Sequence, residues 1–273
     1  MKTFKDKVVV ITGAGSGIGR ELAKALSKEG ALLALSDINE EGLKETAALC
    51  KDQAVFTHVF DVSNKTAYQQ FAQKVLQHYK RVDVVFNNAG VALGKAKITD
   101  ISYEEFEWLM NINFWGVVYG IKEFLPSLME QKVAAIINIS SLFGLAGIAE
   151  QTPYCSSKFA VRGLSEALRM ELIGTPVKVY TVHPGGIKTN IANNARITEK
   201  DDAKKAKDVL DKFNQTALRH SADKAAKIII DGVKNGEEKI MIGAETYMAD
   251  TLIKLFPAKY SQVFKVLMDK SMQ

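Results

Sequence analysis

The stretch VVVITGAGSGIG, residues 8–19, decides the fold of this protein. A run of β-branched residues leads directly into a turn that contains Gly13, Gly17 and Gly19, and a segment of helical period follows. Glycines at such a junction let the backbone approach a pyrophosphate, whose charge is met by the free N–H groups and positive dipole end of the helix. Residue 18 is Ile where a strict G-x-G-x-x-G pattern has its third glycine. The placement of the turn, more than its glycine spacing, therefore predicts a dinucleotide-binding unit.

Six further apolar runs repeat the pattern of a short strand followed by a helix. They lie at residues 32–37, 55–62, 82–87, 135–140, 177–183 and 239–243. The runs are nearly continuous in apolar residues, which is typical of strands that are covered on both faces. Strands that alternate with helices predict a parallel sheet with right-handed crossovers. We therefore expect an α/β fold, a single doubly wound Rossmann-type domain over residues 1–273 with a seven-stranded parallel sheet and helices on both faces.

Composition fits one ordinary globular domain. The chain has 273 residues, 47% of them hydrophobic and 25% charged, without a linker or repeat that would divide it. The 36 basic and 31 acidic residues are interspersed, which argues against nucleic acid as a partner. Cys50 and Cys155 lack metal-ligand spacing, so neither a metal site nor a disulfide framework is expected. No apolar run is long enough for a signal peptide or a membrane span, so a cytoplasmic location is expected.

The stretch TPYCSSK, residues 152–158, holds a candidate proton-transfer pair. Thr152 and Pro153 predict the N-cap and first position of a helix. Tyr154 and Lys158 then lie one turn apart, on a stripe that continues through apolar residues. The spacing alone is no rarer than chance, but a lysine on a core-facing stripe needs a reason, because burying an unpaired ammonium is costly.

Asp37, at the end of the second predicted strand, is a candidate cofactor ligand. A carboxylate there can accept hydrogen bonds from both hydroxyls of an adenosine ribose and would repel a 2′-phosphate. No arginine or lysine adjoins it in sequence. We therefore expect NAD rather than NADP, with a helix-capping role for Asp37 as the alternative.

Seven motifs, taken together, resemble the short-chain dehydrogenase/reductase family. They occur in that family's order and spacing over residues 8 to about 190, and the last eighty residues match only loosely. The motifs are Thr12-Gly13-x-x-x-Gly17-x-Gly19, Asp61-Val62, NNAG at Asn87 to Gly90, Asn113 in NINFWG, NISS ending at Ser141, Tyr154-x-x-x-Lys158, and Pro184-Gly185.

The resemblance implies four catalytic residues. Tyr154 would exchange a proton with the substrate oxygen. Its pKa of about 10 would have to fall by roughly 3, or about 4 kcal/mol, which one ammonium about 4 Å away supplies at an effective dielectric near 20. Lys158 is placed to provide that ammonium, and Asn113 would hold a water that links it to solvent. Ser141 would bind the substrate oxygen, whereas Ser140 would point to the opposite face of a regular strand.

The resemblance also implies the cofactor contacts. Asp61 and Val62 would touch adenine, Asn87 would border the adenosine-side ribose, and Thr189 would bond the carboxamide or the pyrophosphate. Asn87 and Asn88 can equally be turn formers after a strand. The full expected set is Gly13, Ser16, Gly17, Ile18, Gly19, Asp37, Asp61, Val62, Asn87, Ala89, Gly90, Tyr154, Lys158, Pro184, Gly185, Ile187 and Thr189.

The expected substrate contacts are Ser141, Leu142, Phe143 and Tyr154, within a surround that is apolar and uncharged. An NAD-dependent oxidoreductase of a hydrophobic or small neutral secondary alcohol or ketone is therefore the leading function. One alternative is an aldehyde, long-chain alcohol, retinoid-like or steroid-like oxidoreductase that acts near a membrane. From a different class, a non-catalytic dinucleotide-sensing protein is the other alternative.

Three further expectations concern assembly and movement. Residues 190–218 occupy the family's lid position, and residues 245–273 form a helical extension that packs on the body, on a partner subunit or, less favoured, on a membrane surface. Ala160, Gly163, Leu164 and Ala167 form a small apolar face on the Tyr154 helix. The resemblance implies that this helix pairs with its symmetry mate, so we expect self-association as a dimer or tetramer.

Overall fold

The fold is a seven-stranded parallel sheet with helices on both faces, as predicted. The computed structural model describes residues 1–50, 55–189, 191, 194–197 and 220–264. Within them the strand order is β3-β2-β1-β4-β5-β6-β9, and every pairing is parallel. The strands are β1 (Val8–Thr12), β2 (Leu32–Asp37), β3 (Val55–Val59), β4 (Val84–Asn87), β5 (Ala134–Ile139), β6 (Val177–Pro184) and β9 (Lys239–Ile242).

Eight α-helices have both ends within the described residues, and the helices cover the sheet in two layers. They are α1 (Gly17–Lys28), α2 (Glu40–Leu49), α3 (Lys65–Tyr79), α4 (Tyr103–Met110), α5 (Gly116–Met129), α6 (Thr152–Glu171), α7 (Ala222–Asn235) and α8 (Ala244–Leu255). On one face, Leu22 of α1 and Ile229 of α7 belong to one hydrophobic cluster. On the other, Phe71 of α3, Phe124 of α5 and Val161 of α6 belong to a second. Burial on both faces explains why the strands read as continuous apolar runs.

The structure corrects several predicted boundaries. Strand β3 ends at Val59 rather than residue 62, because the chain turns at Asp61, whose carboxylate accepts the Ser63 N–H (2.9 Å). Two short strands, β7 (Ile187–Lys188) and β8 (His220–Ser221), form a separate pair that the sequence pattern did not predict. Two residues give too short a pattern to recognise.

Helix α6 begins one residue earlier than predicted. Gln151 is the N-cap, so that Thr152 and Pro153 are the first two helical residues. Proline is accepted there because its missing N–H has no helical partner in the first turn. Tyr154 therefore still lies in the first turn, and Lys158 lies on the buried face with Val161.

Ser102 and Glu105 form a capping box at the start of α4, with Ser102 Oγ accepting the Glu105 N–H (3.1 Å) and Glu105 accepting the Ser102 N–H (2.9 Å). A π-helical turn at Asn111–Trp115 separates α4 from α5. The wider turn shifts the helical register, and Asn113 within it is fully buried.

The sheet reverses its order between β1 and β4, and this position fixes the site. In doubly wound sheets the crevice at the carboxyl ends of the two reversing strands binds the ligand. Here Asn88, after β4, donates its amide to the carbonyls of Thr12 (2.9 Å) and Gly13 (3.1 Å), after β1. None of the helices in the described ranges has both the length and the apolar character needed to cross a membrane.

Candidate active site

The glycine turn after β1 is packed so closely that larger residues would not fit. Gly13 and Gly17 have φ angles of +66° and +53°, a left-handed conformation that side chains disfavour. A Cβ built on Gly13 would lie 2.7 Å from Ala89 Cα, and one on Gly17 would lie 3.1 Å from the Thr189 methyl carbon. A Cβ on Gly19 would collide with the Gly13 carbonyl. The turn therefore keeps bare backbone at the N-terminus of α1, which fits a pyrophosphate.

A polar cavity of about 430 Å³ opens beside this turn. One wall is the turn from Gly15 to Gly17, where Ser16 is the N-cap of α1 and its side chain makes no capping hydrogen bond. The opposite wall consists of Lys188, Thr189 and Ala222. The cavity thus has the hydrogen-bond donors and the helix terminus that suit a nucleotide's phosphates.

Asp37 lies at the edge of this cavity, where it is hydrogen-bonded to Gly15 and Asn39, two residues that line it. Its Oδ2 accepts the Gly15 N–H (2.7 Å) and its Oδ1 accepts the Asn39 N–H (2.9 Å). One basic side chain that does not adjoin Asp37 in the sequence lies near it in the structure. This is Arg20, which donates to the Gly15 carbonyl (2.5 Å). The Arg20 charge is paired with Glu45 (2.8 Å), and Glu41 also lines the cavity. The charged groups at this edge of the cavity are therefore predominantly acidic.

Several expected cofactor residues have side chains that serve the fold. The Asn87 amide is buried and donates to Asn138 Oδ1 (2.8 Å), so it faces the neighbouring strand β5. Val62 is buried against Gly116 of α5, and Asp61 accepts from Ser63. The Ile187 side chain belongs to the hydrophobic core. Any cofactor contact from Asn87 or Ile187 would therefore come from the backbone.

Gly90, Asn113 and Lys158 come together from three separate elements. A Cβ on Gly90 would lie 3.2 Å from Asn113 Oδ1 and 3.3 Å from Lys158 Nζ. Asn113 is held by both polar groups of the Val91 backbone, accepting its N–H (2.8 Å) and donating to its carbonyl (2.9 Å). Lys158 is 3% exposed and donates to the Ile139 carbonyl (3.0 Å) at the end of β5. The lysine on the buried stripe thus has its partner in the strand below.

Tyr154 meets Ser141 at the end of β5. The Ser141 side chain hydrogen-bonds to the Tyr154 phenol, and Lys158 Nζ lies 5.7 Å from the centre of the Tyr154 ring. Phe143 packs edge-on against the same ring at 5.8 Å. These four side chains therefore lie together at the carboxyl end of β5.

Ser140 does not point to the opposite face as expected. Its hydroxyl donates to the Lys158 carbonyl (2.8 Å) on α6, the same helix that Asn138 of β5 contacts through Ser165. Ser140 therefore keeps the alternation of the strand, and Ser141 departs from it because β5 ends at Ile139. This hydrogen bond engages the Ser140 hydroxyl, and a Cβ on Gly144 would collide with it. Ser141 alone of the pair contacts the tyrosine phenol.

The protonation of the pair differs from the expectation. Burial raises the pKa of Tyr154 to about 12, although the Ser141 hydrogen bond opposes the rise. Burial also lowers the pKa of Lys158 to about 8. The expected fall in the Tyr154 pKa is therefore wrong for the protein without cofactor. The loss of hydration on burial raises this pKa by more than the neighbouring groups of the protein lower it.

Three residues that support the site were assigned no role from the sequence. Thr12 Oγ1 accepts the N–H groups of Asn88 and Ala89, both at 3.1 Å, and so joins the ends of β1 and β4. Ser157 Oγ accepts the Asn113 amide (3.2 Å), and His183 Nδ1 donates to the Ser141 carbonyl (3.1 Å). The signal for Ser157 was its place three residues after Tyr154, and for His183 its place next to Pro184.

The segment after β6 runs along the whole site. Gly185 donates its N–H to the Ile242 carbonyl (2.9 Å), and Thr189 reaches the glycine turn at Gly17. Of the expected lid at 190–218, only residue 191 and residues 194–197 are among those described, and the rest lies outside them. Arg196 pairs with Leu93 through a backbone bridge, and its guanidinium lies 5.4 Å from the Trp108 ring centre. This short piece therefore lies beside the loop that follows β4.

A glycine turn at a topological switch point, beside an assembled serine, tyrosine and lysine, defines the class of Rossmann-type dinucleotide-binding oxidoreductases. A family model described as short chain dehydrogenase matches residues 7–200. The chain belongs to the short-chain dehydrogenase/reductase family.

Several relatives and solved structures match this chain over nearly its full length. A Mycobacterium tuberculosis protein named "Putative oxidoreductase SadH" is 41% identical over 269 residues, which cover 96% of this chain and 95% of that protein. A short-chain dehydrogenase/reductase from Burkholderia phymatum, solved in complex with NAD, has a TM-score of 0.86 at 28% identity and covers 94% of this chain and 95% of its own. The structure of levodione reductase has a TM-score of 0.77 at 27% identity, and the match covers 90% of this chain and 98% of the levodione reductase chain.

Proposed function

We propose that this protein is an NAD-dependent oxidoreductase of a hydrophobic or small neutral secondary alcohol or ketone, with Tyr154 as the acid/base. The observation that carries the proposal is the cluster of Ser141, Tyr154 and Lys158 at the carboxyl edge of the sheet. Residues that are scattered in the sequence converge there, and Asn113 lies beside the lysine. The nicotinamide nucleotide, when bound, would supply the hydride-transfer chemistry.

Each residue has a role that follows from its contacts. Ser141 would hold the substrate oxygen near the phenol, since its hydroxyl lies within hydrogen-bond reach of Tyr154. With a pKa of about 12 the phenol is protonated at neutral pH, so it is ready to donate a proton to a carbonyl oxygen. Removing a proton from an alcohol needs additional positive charge near the phenol. Lys158 provides part of it and the oxidised nicotinamide would provide more.

Asn113 would connect Lys158 to solvent through a water. Its Oδ1 is near the lysine ammonium, as both atoms lie within 3.3 Å of one point beside Gly90. Its amide is fixed by Val91 and Ser157, so the group cannot turn away without breaking two hydrogen bonds. This fixed geometry suits a proton path.

The preference for NAD over NADP rests on charge. Glu41 and Glu45 line the cavity, Asp37 accepts from its lining residue Gly15, and the guanidinium of Arg20 is paired with Glu45. A 2′-phosphate would meet these carboxylates, whereas a ribose 2′-hydroxyl could donate to Asp37. The similar Burkholderia protein was solved with NAD, which agrees with this choice.

Apolar contacts support a hydrophobic or neutral substrate. Phe143 packs on Tyr154, while Leu93 and Leu145 are buried in the two loops on either side. A carboxylate or phosphate on the substrate would find little compensation among these groups.

The test is a panel of alcohols and carbonyl compounds with NAD(H) and NADP(H), followed by absorbance of the reduced nicotinamide. The control is Tyr154→Phe, which removes only the phenolic oxygen. We expect turnover of neutral compounds with NAD(H), and a loss of at least about 100-fold in the variant with NADH binding retained. Undiminished turnover of Tyr154→Phe would refute the acid/base role.

A second candidate, an oxidoreductase of long-chain or polycyclic substrates at a membrane, is favoured by one observation. Tyr247, Met248, Leu255 and Phe256 of the C-terminal extension are each more than half exposed. Flotation with liposomes, comparing the full chain with one lacking residues 245–273, tests this candidate. Equal behaviour of the two chains removes it. The non-catalytic alternative is disfavoured because the complete catalytic set is present and assembled.

A further inference from the structure

We propose that the carboxylate of Glu245 makes this protein bind the oxidised, positively charged nicotinamide nucleotide more tightly than the reduced, neutral one. The inference rests on the proposed function, because it takes the turn after β6 as part of the nicotinamide half of the site. It adds to that function a specific source of preference between the two redox forms.

Glu245 lies directly on the turn from Pro184 to Gly186. Its Oε1 accepts the Gly186 N–H at 3.1 Å. A Cβ built on Gly185 would collide with the Glu245 carboxylate, and so would one on Gly243, which has a φ of +97°. The glycines on both sides therefore let the carboxylate approach the backbone of the turn.

This turn links the catalytic end of the site to the phosphate end. Before it, His183 is hydrogen-bonded to the Ser141 carbonyl, and after it Thr189 touches Gly17 of the glycine turn. In a doubly wound sheet built of two mononucleotide halves, the β4 to β6 half holds the second nucleotide. The carboxylate is thus on the side where the nicotinamide would lie.

The oxidised ring carries a positive charge that the reduced ring lacks, while the pyrophosphate and adenosine are the same in both forms. A nearby negative charge therefore changes the ratio of the affinities for NAD and NADH, whereas contacts to the pyrophosphate and adenosine affect both affinities equally. Opposite unit charges about 8 to 15 Å apart, at an effective dielectric near 20, change an affinity by roughly 5- to 30-fold. The Glu245 side chain is 34% exposed and His220 Nε2 lies 3.4 Å from it, so we expect the lower part of this range.

A purely structural role for Glu245 predicts a different result. The residue lies in the first turn of α8, where a carboxylate stabilises the helix terminus, and it holds the Gly186 N–H. Losing these contacts would weaken both nucleotides alike, because the turn itself would be displaced. The ratio of the two affinities separates the roles.

The experiment measures dissociation constants of NAD and NADH by calorimetry and by NADH fluorescence. Glu245→Gln keeps the size and the acceptor for Gly186 but removes the charge, and Glu245→Asp keeps the charge. Glu171→Gln, at the far end of α6 about 25 Å from Tyr154, is the matched control for an equal charge change.

We expect Glu245→Gln to weaken NAD binding about 5- to 10-fold while NADH binding changes less than about twofold. The control should change neither constant, and Glu245→Asp should stay near the wild-type ratio. An unchanged ratio in Glu245→Gln overturns the inference alone. If the variant does not fold, the wild-type ratio at low and high salt decides, since screening must reduce an electrostatic preference and leave a structural one. A wild-type protein that binds neither nucleotide overturns the proposed function as well.

Discussion

Buried His183 should make the protein sensitive to acid. The residue is 1% exposed in β6, and burial lowers its pKa from 6.5 to about 4. The Ser141 carbonyl and Asp250 favour the protonated ring, while the nearby charges of Lys239 and Arg162 oppose it. The neutral ring donates from Nδ1 to the Ser141 carbonyl, so its state also bears on the catalytic serine.

The sign and the size follow from these two pKa values. The unfolded chain binds a proton on this histidine below about pH 6.5, whereas the folded protein resists it until about pH 4. Acid therefore stabilises the unfolded state, and stability falls as the pH drops through this window. The difference of 2.5 pKa units corresponds to about 3 kcal/mol of unfolding free energy at 1.36 kcal/mol per unit.

The assay is urea unfolding at several pH values between 7 and 4, followed by the fluorescence of Trp108 and Trp115. His183→Asn removes the titrating ring and keeps an N–H donor for the Ser141 carbonyl. The variant should start less stable because of its smaller side chain, but lose about 3 kcal/mol less than the wild type over this range. His183→Gln, which packs differently and also does not titrate, should give a curve of the same shape. Parallel curves for the wild type and both variants would refute the reasoning.

Three other substitutions test the cofactor preference, the packing and the assembly. Asp37→Ala should lower the ratio of kcat/KM with NAD to that with NADP by about tenfold or more, which steady-state kinetics with both cofactors measures. Gly120→Ala places a methyl group against the Asn87 amide and 2.5 Å from the Tyr68 hydroxyl, so it should cost about 1–3 kcal/mol in urea unfolding. Gly147→Ala, whose nearest neighbour would be 3.8 Å away, is its control and should be nearly neutral. Gly163→Arg adds a charge to an exposed face with open space around it, and sedimentation should show a dimer or tetramer in the wild type and a smaller species in the variant. A wild-type monomer would contradict this last prediction.

The sheet and its order of elements were predictable from the sequence because hydrophobic periodicity is local. Strands buried on both faces need continuous apolar runs, and six of the seven runs correspond closely to β1, β2, β4, β5, β6 and β9. The exception is β3, an edge strand with partly exposed residues, which ends three residues early. The capping box of Ser102 and Glu105 was equally visible, since its two hydrogen bonds span three residues.

The candidate catalytic set was also visible in the sequence, because family spacing selects Asn113, Ser141, Tyr154 and Lys158 without coordinates. The sequence could not show how completely the surrounding residues shield these side chains from water. Burial raises the pKa of Tyr154 to about 12, contrary to the expectation drawn from one neighbouring ammonium. Desolvation depends on everything packed around a group, which no local pattern records.

The contacts that only the tertiary structure decided are those between residues far apart in the chain. Arg20 reaches Glu45, His183 holds Ser141, and Glu245 packs on the turn at Gly185. The sequence by itself determined the class of fold and the chemistry that its motifs can carry, since both rest on short spacings. The charge around the cofactor and the support of the catalytic serine were fixed only when parallel strands brought their carboxyl ends to one edge of the sheet.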